Sequence, residues 1–315
     1  MNELCEILKI KHPIIQGGMG NISNAPLTIA VSEAGGLGTI GVGTMEPQEV
    51  EQIIKETKDG TDKPFAVNIP INVTPYLKEM LSLVLQYKVP IVSLSAGNPV
   101  PFIKKLQDNG LKVISVCASV KQAKKVADAG ADVIVAEGYE AAGINSSFET
   151  TTLTLIPQIT DRVDVPVVAA GGIGDGRGLA AMLMLGASGV QMGTRFIATQ
   201  ESPFHINYKK QVIDANDHGT TIVGRSVGRI RRILNTAYSE KLVALEKEGI
   251  QLKDFERMTT EAYHKMGALE GSLDEGFMNS GQVAGLIKDV PSVKDLLEKM
   301  MREASKAIHH HRKLL

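Results

Sequence analysis

Eight short apolar runs recur along the chain, and their alternation with longer amphipathic intervals constrains the fold more than any other feature. They span residues 13–18, 38–43, 65–68, 91–97, 112–116, 132–138, 165–172 and 189–194. Each is rich in Val or Ile and nearly continuous, where a strand with one wet face would alternate. Parallel strands buried on both faces have this pattern. The intervals carry helical spacing. Residues 26–34 end at Gly35, 120–129 at Gly130 and 178–185 at Gly186, where a helix C-cap favours glycine. Eight strands alternating with helices predict an α/β fold, the TIM (β/α)8 barrel. The eighth run ends near residue 196 and leaves about 120 residues, more than one closing helix uses. Residues 200–275 are richer in charge and predict a helical insertion after strand 8, over the active-site mouth. The amphipathic stretch 280–308 predicts the last barrel helix. The expected division is a barrel of residues 1–199 and 276–315 around an insertion of 200–275.

Composition removes several function classes. With 43% hydrophobic and 22% charged residues the chain is globular in make-up, and a net charge of −1 argues against a nucleic-acid groove built on bulk charge. Cys5 and Cys117 stand far apart, make no metal spacing and read as reduced thiols of a cytoplasmic protein. The N-terminus lacks the apolar core of a signal peptide, and no apolar run is long enough for a membrane span. The tail, HHHRKLL, reads as a solvated basic end. No metal site, membrane or nucleic-acid partner is expected.

Glycine is the compositional excess, 31 of 315 residues, beside only 4% aromatics. Much of it falls at strand ends. In this fold the active site lies at the C-terminal ends of the strands, and a phosphate site commonly forms after strands seven and eight. Here those strands end in Gly171-Gly172-Ile173-Gly174 and in Gly193-Thr194. Glycine lets peptide N–H groups converge on phosphate oxygens without a Cβ in the way. Turn glycines are the plainer alternative, but two such ends at the expected pair of strands favour phosphate. Gly17-Gly18-Met19 after the first strand would offer bare backbone and a soft thioether to a flat ring. The stretch from Gly36 to Gly41 matches G-x-G-x-x-G but leads into a strand, so it lacks the context of a dinucleotide fingerprint.

Several segments together resemble the nitronate monooxygenase family. They are IKHPIIQGGM (10–19), AGGLG (34–38), KPFAVN (63–68), AGNP (96–99), AAGGIGDG (169–176), QMGTRF (191–196) and GQVAGLI (281–287), with Glu137-Gly138 and Glu140-Ala141 between them. The pattern is nearest the family's flavin-dependent enoyl-acyl-carrier-protein reductase branch of type II, and the similarity covers essentially the whole chain. The resemblance implies a barrel that binds FMN non-covalently. It places Gly17, Gly18 and Met19 along the flavin ring, Asn68 at its polar edge, and Glu137 and Gly143 near the ring or ribityl chain. Gly171, Gly172, Gly174, Gly193 and Thr194 would hold the phosphate, and Gln282 and Gly285 would close over the site from the last helix.

One departure matters for chemistry. After strand six the family reads Glu-Ala-Gly-Gly-His, and that histidine is its usual acid–base candidate. This chain reads Glu140-Ala141-Ala142-Gly143-Ile144-Asn145, so the catalytic residue is unassigned. Tyr139, Asn145, Ser146 and Ser147 are the local polar candidates, none with an ordinary pKa near 7. His12, at the opposite end of the barrel, and His205 and His218, in the insertion, offer little replacement. Arg225, Arg229, Arg231 and Arg232 read as a solvated helix face, or, over the pocket mouth, as a clamp for the phosphates of a nicotinamide or a thioester carrier.

The leading expectation is an FMN-dependent oxidoreductase that takes electrons from NAD(P)H and reduces an activated C=C bond, as in a 2-enoyl thioester. An acyl carrier protein is a candidate partner and a homodimer an open assembly. The alternatives are a nitronate monooxygenase using O2, an FMN-binding barrel with neither activity, and a sugar-phosphate enzyme that binds no flavin.

Overall fold

The computed structural model describes residues 2–312, so the last residues of the basic tail lie outside the described residues. Eleven strands are used below, numbered in chain order. They are β1 (Ile14–Gln16), β2 (Gly38–Gly41), β3 (Phe65–Pro70), β4 (Ile91–Ser95), β5 (Lys112–Cys117), β6 (Val133–Glu137), β7 (Gly143–Ile144), β8 (Val167–Ala170), β9 (Gly189–Met192), β10 (Thr220–Val223) and β11 (Arg231–Leu234). Eight of them make one parallel sheet in the order β1-β9-β8-β6-β5-β4-β3-β2. Its outer strands meet through a parallel bridge, Ile15 to Leu37, with Gln16 N–H donating to Leu37 O at 2.9 Å and Leu37 N–H to Ile14 O at 3.0 Å. The chain is a TIM barrel, and all eight apolar runs supply its strands.

Strand alternation divides the core in two. Ile15, Ala66, Ile91, Ile114, Val133, Val135 and Val168 form one buried cluster with Leu4 and Leu8 of the helix Glu3–Leu8. Their sequence neighbours Ile14, Val67, Val92, Val113, Ile134 and Val167 belong to the larger cluster shared with the surrounding helices. Both faces are apolar, which is why the runs are continuous. The helices Ala25–Glu33, Val120–Asp128 and Gly176–Met184 fall where the helical spacing put them. Asn24, Ser119 and Asp175 cap them, each side-chain oxygen accepting from a backbone N–H of the first turn.

The segment after the eighth barrel strand differs from expectation in two ways. Residues 200–275 hold four helices, Ile206–Asp214, Ala237–Lys247, Leu252–Met258 and Glu261–Ala268, but also the antiparallel hairpin β10–β11. β11 pairs in turn with β7, Arg231 opposite Ile144 and Arg232 opposite Gly143. The arginine-rich stretch is therefore a turn and a strand, not a helix face. Gly224 and Gly228 take positive φ of 82° and 67°, and Arg229 N–H closes on Gly224 O at 2.8 Å. Four β-branched or Ile residues in β10 carried the strand signal, which the surrounding charge obscured. The second difference is at the end. The last barrel helix begins at Val293, and Gln282–Leu286 is a separate 3-10 turn.

Candidate active site

A cavity of about 850 Å3 opens at the C-terminal ends of the barrel strands. On one side lie Gly17, Gly18 and Met19 after β1 and Asn68 on β3. Gly18 is there for lack of room: a Cβ would sit 2.7 Å from Asn68 Cβ and 3.1 Å from Gly41 Cα. The bare backbone after β1 is thus pressed against β2 and β3, leaving a flat ledge. Asn68 Oδ1 accepts from Ser93 Oγ at 3.1 Å, which fixes the amide. Its Nδ2 has no partner among the described residues and lies at the cavity, suited to an acceptor on a ligand.

Across the cavity β8 is followed by Gly171 and Gly172, with φ of 101° and 75°. These values, with Thr152 Oγ1 only 2.9 Å from a Cβ on Gly171, exclude other residues without strain. Gly193 and Thr194 after β9 complete this side, and a Cβ on Gly193 would meet nothing within 4 Å. Thr194 Oγ1 accepts from Gly281 N–H at 2.9 Å, tying the strand end to the segment before the 3-10 turn. Four expected phosphate residues therefore converge. Gly174 does not join them: it lines a smaller cavity with Arg195 and Asp289, and a Cβ there would meet Val283 Cγ2 at 2.6 Å. Gln282 is exposed and Gly285 packs on Asn216; neither lines the main cavity, which Gly281 and Val283 reach instead. The reason is the 3-10 turn, which leaves Gln282 exposed and sets Gly285 against Asn216.

The loop after β6 supplies the third wall. Glu137 ends the strand at the cavity, its carboxyl without a hydrogen-bond partner among the described residues, and burial pushes that carboxyl up to about 7. Glu140 is spent on structure, accepting from Thr152 N–H at 2.8 Å and Thr152 Oγ1 at 2.9 Å. Asn145 Nδ2 donates to Ala141 O at 3.0 Å and Gly143 O at 3.1 Å, so its amide clamps the loop. Ser146 Oγ accepts from Phe148 N–H at 3.2 Å, and Ser146 and Ser147 line the cavity. Tyr139 lies outside the lining. Its hydroxyl accepts from Arg225, the Arg232 guanidinium sits 4.9 Å from its ring centroid, and burial raises the phenol above its usual value. Ile144 stands at the cavity, 53% exposed.

The fourth wall comes from residues 200–275 and the segment behind them: Tyr208, Arg231, Glu261, His264 and Asn279. Sequence reading missed His264, since an amphipathic helix gave no sign of which face meets the barrel. Its ring stacks on Phe277 at 5.3 Å, Nε2 lies 3.2 Å from Asn279 Nδ2, and Nδ1 lies 3.4 Å from Glu261 Oε2. Burial raises the Glu261 pKa, but His264, Arg231 and Lys265 outweigh it and hold the carboxyl below its usual range. His205 is a helix cap, accepting from Asn207 N–H at 3.1 Å; His12 is buried and His218 exposed.

Comparison with known proteins bears on what such a cavity serves. The family described as nitronate monooxygenase matches residues 1–76 and 70–303. The chain belongs to the nitronate monooxygenase family. It is 35% identical, over 97% of its length and 96% of the relative's, to (3aS,4S,5R,7aS)-5-hydroxy-7a-methyl-1-oxo-octahydro-1H-indene-4-carboxyl-CoA dehydrogenase of Rhodococcus jostii strain RHA1. A probable nitronate monooxygenase of Staphylococcus saprophyticus is 33% identical, over 96% of this chain and 97% of the relative. The structure of FabK from Thermotoga maritima superposes with a TM-score of 0.95 at 40% identity, over 100% of this chain and 99% of that one.

The protein is thus an oxidoreductase of a nitronate monooxygenase family whose members depend on FMN. Its own residues fit that cofactor. The backbone ledge at Gly17 and Gly18 would take the flat ring, Asn68 Nδ2 an acceptor on its edge, and the glycines after β8 and β9 the phosphate. Among the described residues no cluster of three or more His, Cys, Asp or Glu could hold a metal, and no helix is long and apolar enough to cross a membrane.

Proposed function

We propose that this member of the family is an NAD(P)H-dependent FMN reductase of activated C=C bonds, acting on 2-enoyl thioesters. The observation that supports this most is the likeness to FabK, an enoyl-acyl-carrier-protein reductase of type II, which extends over the whole chain with the insertion included. A CoA thioester also appears in the name of the Rhodococcus relative. When bound, FMN supplies two-electron transfer between the nicotinamide and the substrate. Gly17, Gly18 and Met19 would carry its ring, with Asn68 and Glu137 beside it and Gly171, Gly172, Gly193 and Thr194 at its phosphate. The cavity is large for one mononucleotide, leaving room for a second reactant against Tyr208, Arg231 and Asn279. The substrate gains a hydride at its β-carbon and a proton at its α-carbon. Glu137, with a pKa of about 7, holds a proton near neutrality in the wall of this cavity and can take the role left by Ile144. Exposed Ile144 and Phe148 at the same cavity offer apolar surface to an acyl chain.

Anaerobic mixing of the FMN-loaded protein with NADH and with NADPH tests this. Rapid bleaching by one of them, reversed by a 2-enoyl-CoA, is the expected result. Ile144 itself favours a second reading, nitronate oxidation, because a substrate that arrives as the anion needs no base to deprotonate it. No bleaching by either nucleotide, together with O2 uptake on adding an alkyl nitronate, would establish that reading instead.

A further inference from the structure

Arg231 is a buried cation without a counter-ion at contact distance. It lies on β11, is 9% exposed and lines the cavity. The other arginines of this stretch are committed: Arg225 to Glu149 at 2.8 Å, Arg229 to Glu256 at 2.9 Å, and Arg232 to Tyr139 O at 3.2 Å. For Arg231, no carboxylate among the described residues lies within 4.0 Å. Its one side-chain hydrogen bond runs from Nη1 to Asn279 Oδ1 at 3.4 Å, and its guanidinium lies 4.8 Å from the Phe277 ring centroid. A guanidinium has five N–H donors, so most of this one's are uncommitted.

The surrounding groups hold it in place. With Asn279 Oδ1 accepting from Arg231, Asn279 Nδ2 faces His264 Nε2 at 3.2 Å, which must then accept. His264 Nδ1 lies 3.4 Å from Glu261 Oε2, close enough for the carboxylate to orient the ring electrostatically, although neither atom has a hydrogen-bond partner among the described residues. Asn279 also reaches the loop after β6, its Cγ lying 3.6 Å from where a Cβ on Gly143 would be. Register sets Arg231 opposite Ile144 itself. The insertion thus delivers a buried positive charge beside the position where the family pattern has its histidine.

We propose that Arg231 is a subsite for a planar oxyanion conjugated to the reacting carbon, positioned by Asn279, His264 and Glu261. The enolate oxygen that develops as a thioester accepts hydride at its β-carbon has this chemistry, and so do the oxygens of a nitronate. A guanidinium fork fixed in the cavity wall stabilises such a charge as it forms. For the enolate this deepens the reductase reading and rests on it; binding of a simple oxyanion does not.

The probe is nitrate, planar and singly charged, titrated into FMN-loaded protein and followed by flavin absorbance. Saturable binding is expected, weakened about 10-fold or more by Arg231→Met and less by Arg231→Lys, which keeps a charge but loses the fork. Arg302→Met, on the exposed face of the last helix, is the control expected to bind as the parent does. With a 2-enoyl-CoA, Arg231→Met should lower kcat about 100-fold and leave KM for the nucleotide unchanged. Nitrate that does not bind the parent, or that binds folded Arg231→Met equally well, would overturn the proposal. If Arg231→Met does not fold, equal binding by Arg231→Lys overturns it in the same way. Arg231-dependent nitrate binding in a protein that reduces no enoyl-CoA would support the subsite and sink the reductase reading. Enoyl-CoA turnover and nitrate binding both indifferent to Arg231 would do the reverse.

Discussion

Glu137 and Ile144 show how much chemistry one side chain can decide. Glu137 ends a strand inside a cavity, and burial without a hydrogen bond favours its neutral form. Its folded pKa of about 7 lies above the ordinary 4.5. Stability from the protonated form is therefore full below about 4.5 and lost as pH rises through about 7. The difference corresponds to roughly 3 kcal/mol at most, reduced by water in the cavity. Glu137→Gln should remove this decline, so urea midpoints measured from pH 5 to 8 should converge at low pH and favour the variant at high pH. If Glu137 is also the proton source, the same variant should flatten the pH profile of turnover. Ile144 is exposed enough to accept a polar ring. Ile144→His should leave stability within about 0.5 kcal/mol. It should introduce an inflection near pH 6.5 into kcat, the ordinary histidine value. An unchanged profile would mean that proton delivery does not pass through that position.

Elements, rather than residues, set the shape of the cavity. The backbone after β1 can lie against β2 and β3 only because Gly18 has no side chain to put between itself and Asn68. Gly18→Ala should push this ledge outward and raise the FMN dissociation constant about 10-fold or more, equivalent to roughly 1.4 kcal/mol, readable from flavin lost on ultrafiltration. Gly171→Ala should cost about 1–2 kcal/mol of stability, since its φ of 101° is one that alanine adopts only under strain. Both effects come from strand ends, and both glycines were legible in sequence as clusters closing an apolar run. The hairpin β10–β11 was not. Its strands are four residues each, among charged neighbours, and two of its arginines are buried by a partner strand, β7, nearly ninety residues away in sequence.

At the scale of the whole molecule, the end of the chain is tied to the end of the eighth barrel strand. Arg195, 4% exposed on its side chain, bonds Asp289 Oδ1 at 2.9 Å, Asp289 O at 2.8 Å and Ala198 O at 2.7 Å. Asp289→Ala should cost about 1–2 kcal/mol. The value is modest because Asp289 is half-exposed and two carbonyls still serve Arg195. A larger loss in urea unfolding, or a separate early transition, would show that the last helix and the 3-10 turn before it depend on this tie to stay docked.

Eight Val- and Ile-rich runs, most closing on glycine or a small polar residue, determined the barrel, its strand order along the chain and the wall against which a phosphate and a flat ring could lie. Those signals are local: a strand buried on both faces must be apolar throughout, and a backbone that approaches a ligand must lack a Cβ. The opposite wall is a matter of tertiary structure. Arg231, His264 and Asn279 are scattered through the last third of the chain; the arginine-rich stretch drew notice to Arg231, but nothing in their immediate neighbours marks His264 or Asn279. They meet because β11 adds to β7, Asn279 bridges Ile233 of the same hairpin, and the helix Glu261–Ala268 packs behind. Long-range pairing of this kind leaves no periodic trace in sequence. Thus much of the glycine-lined wall was legible in sequence, though Gly174, Gln282 and Gly285 fell outside the main cavity, while the facing wall took shape only through these long-range contacts.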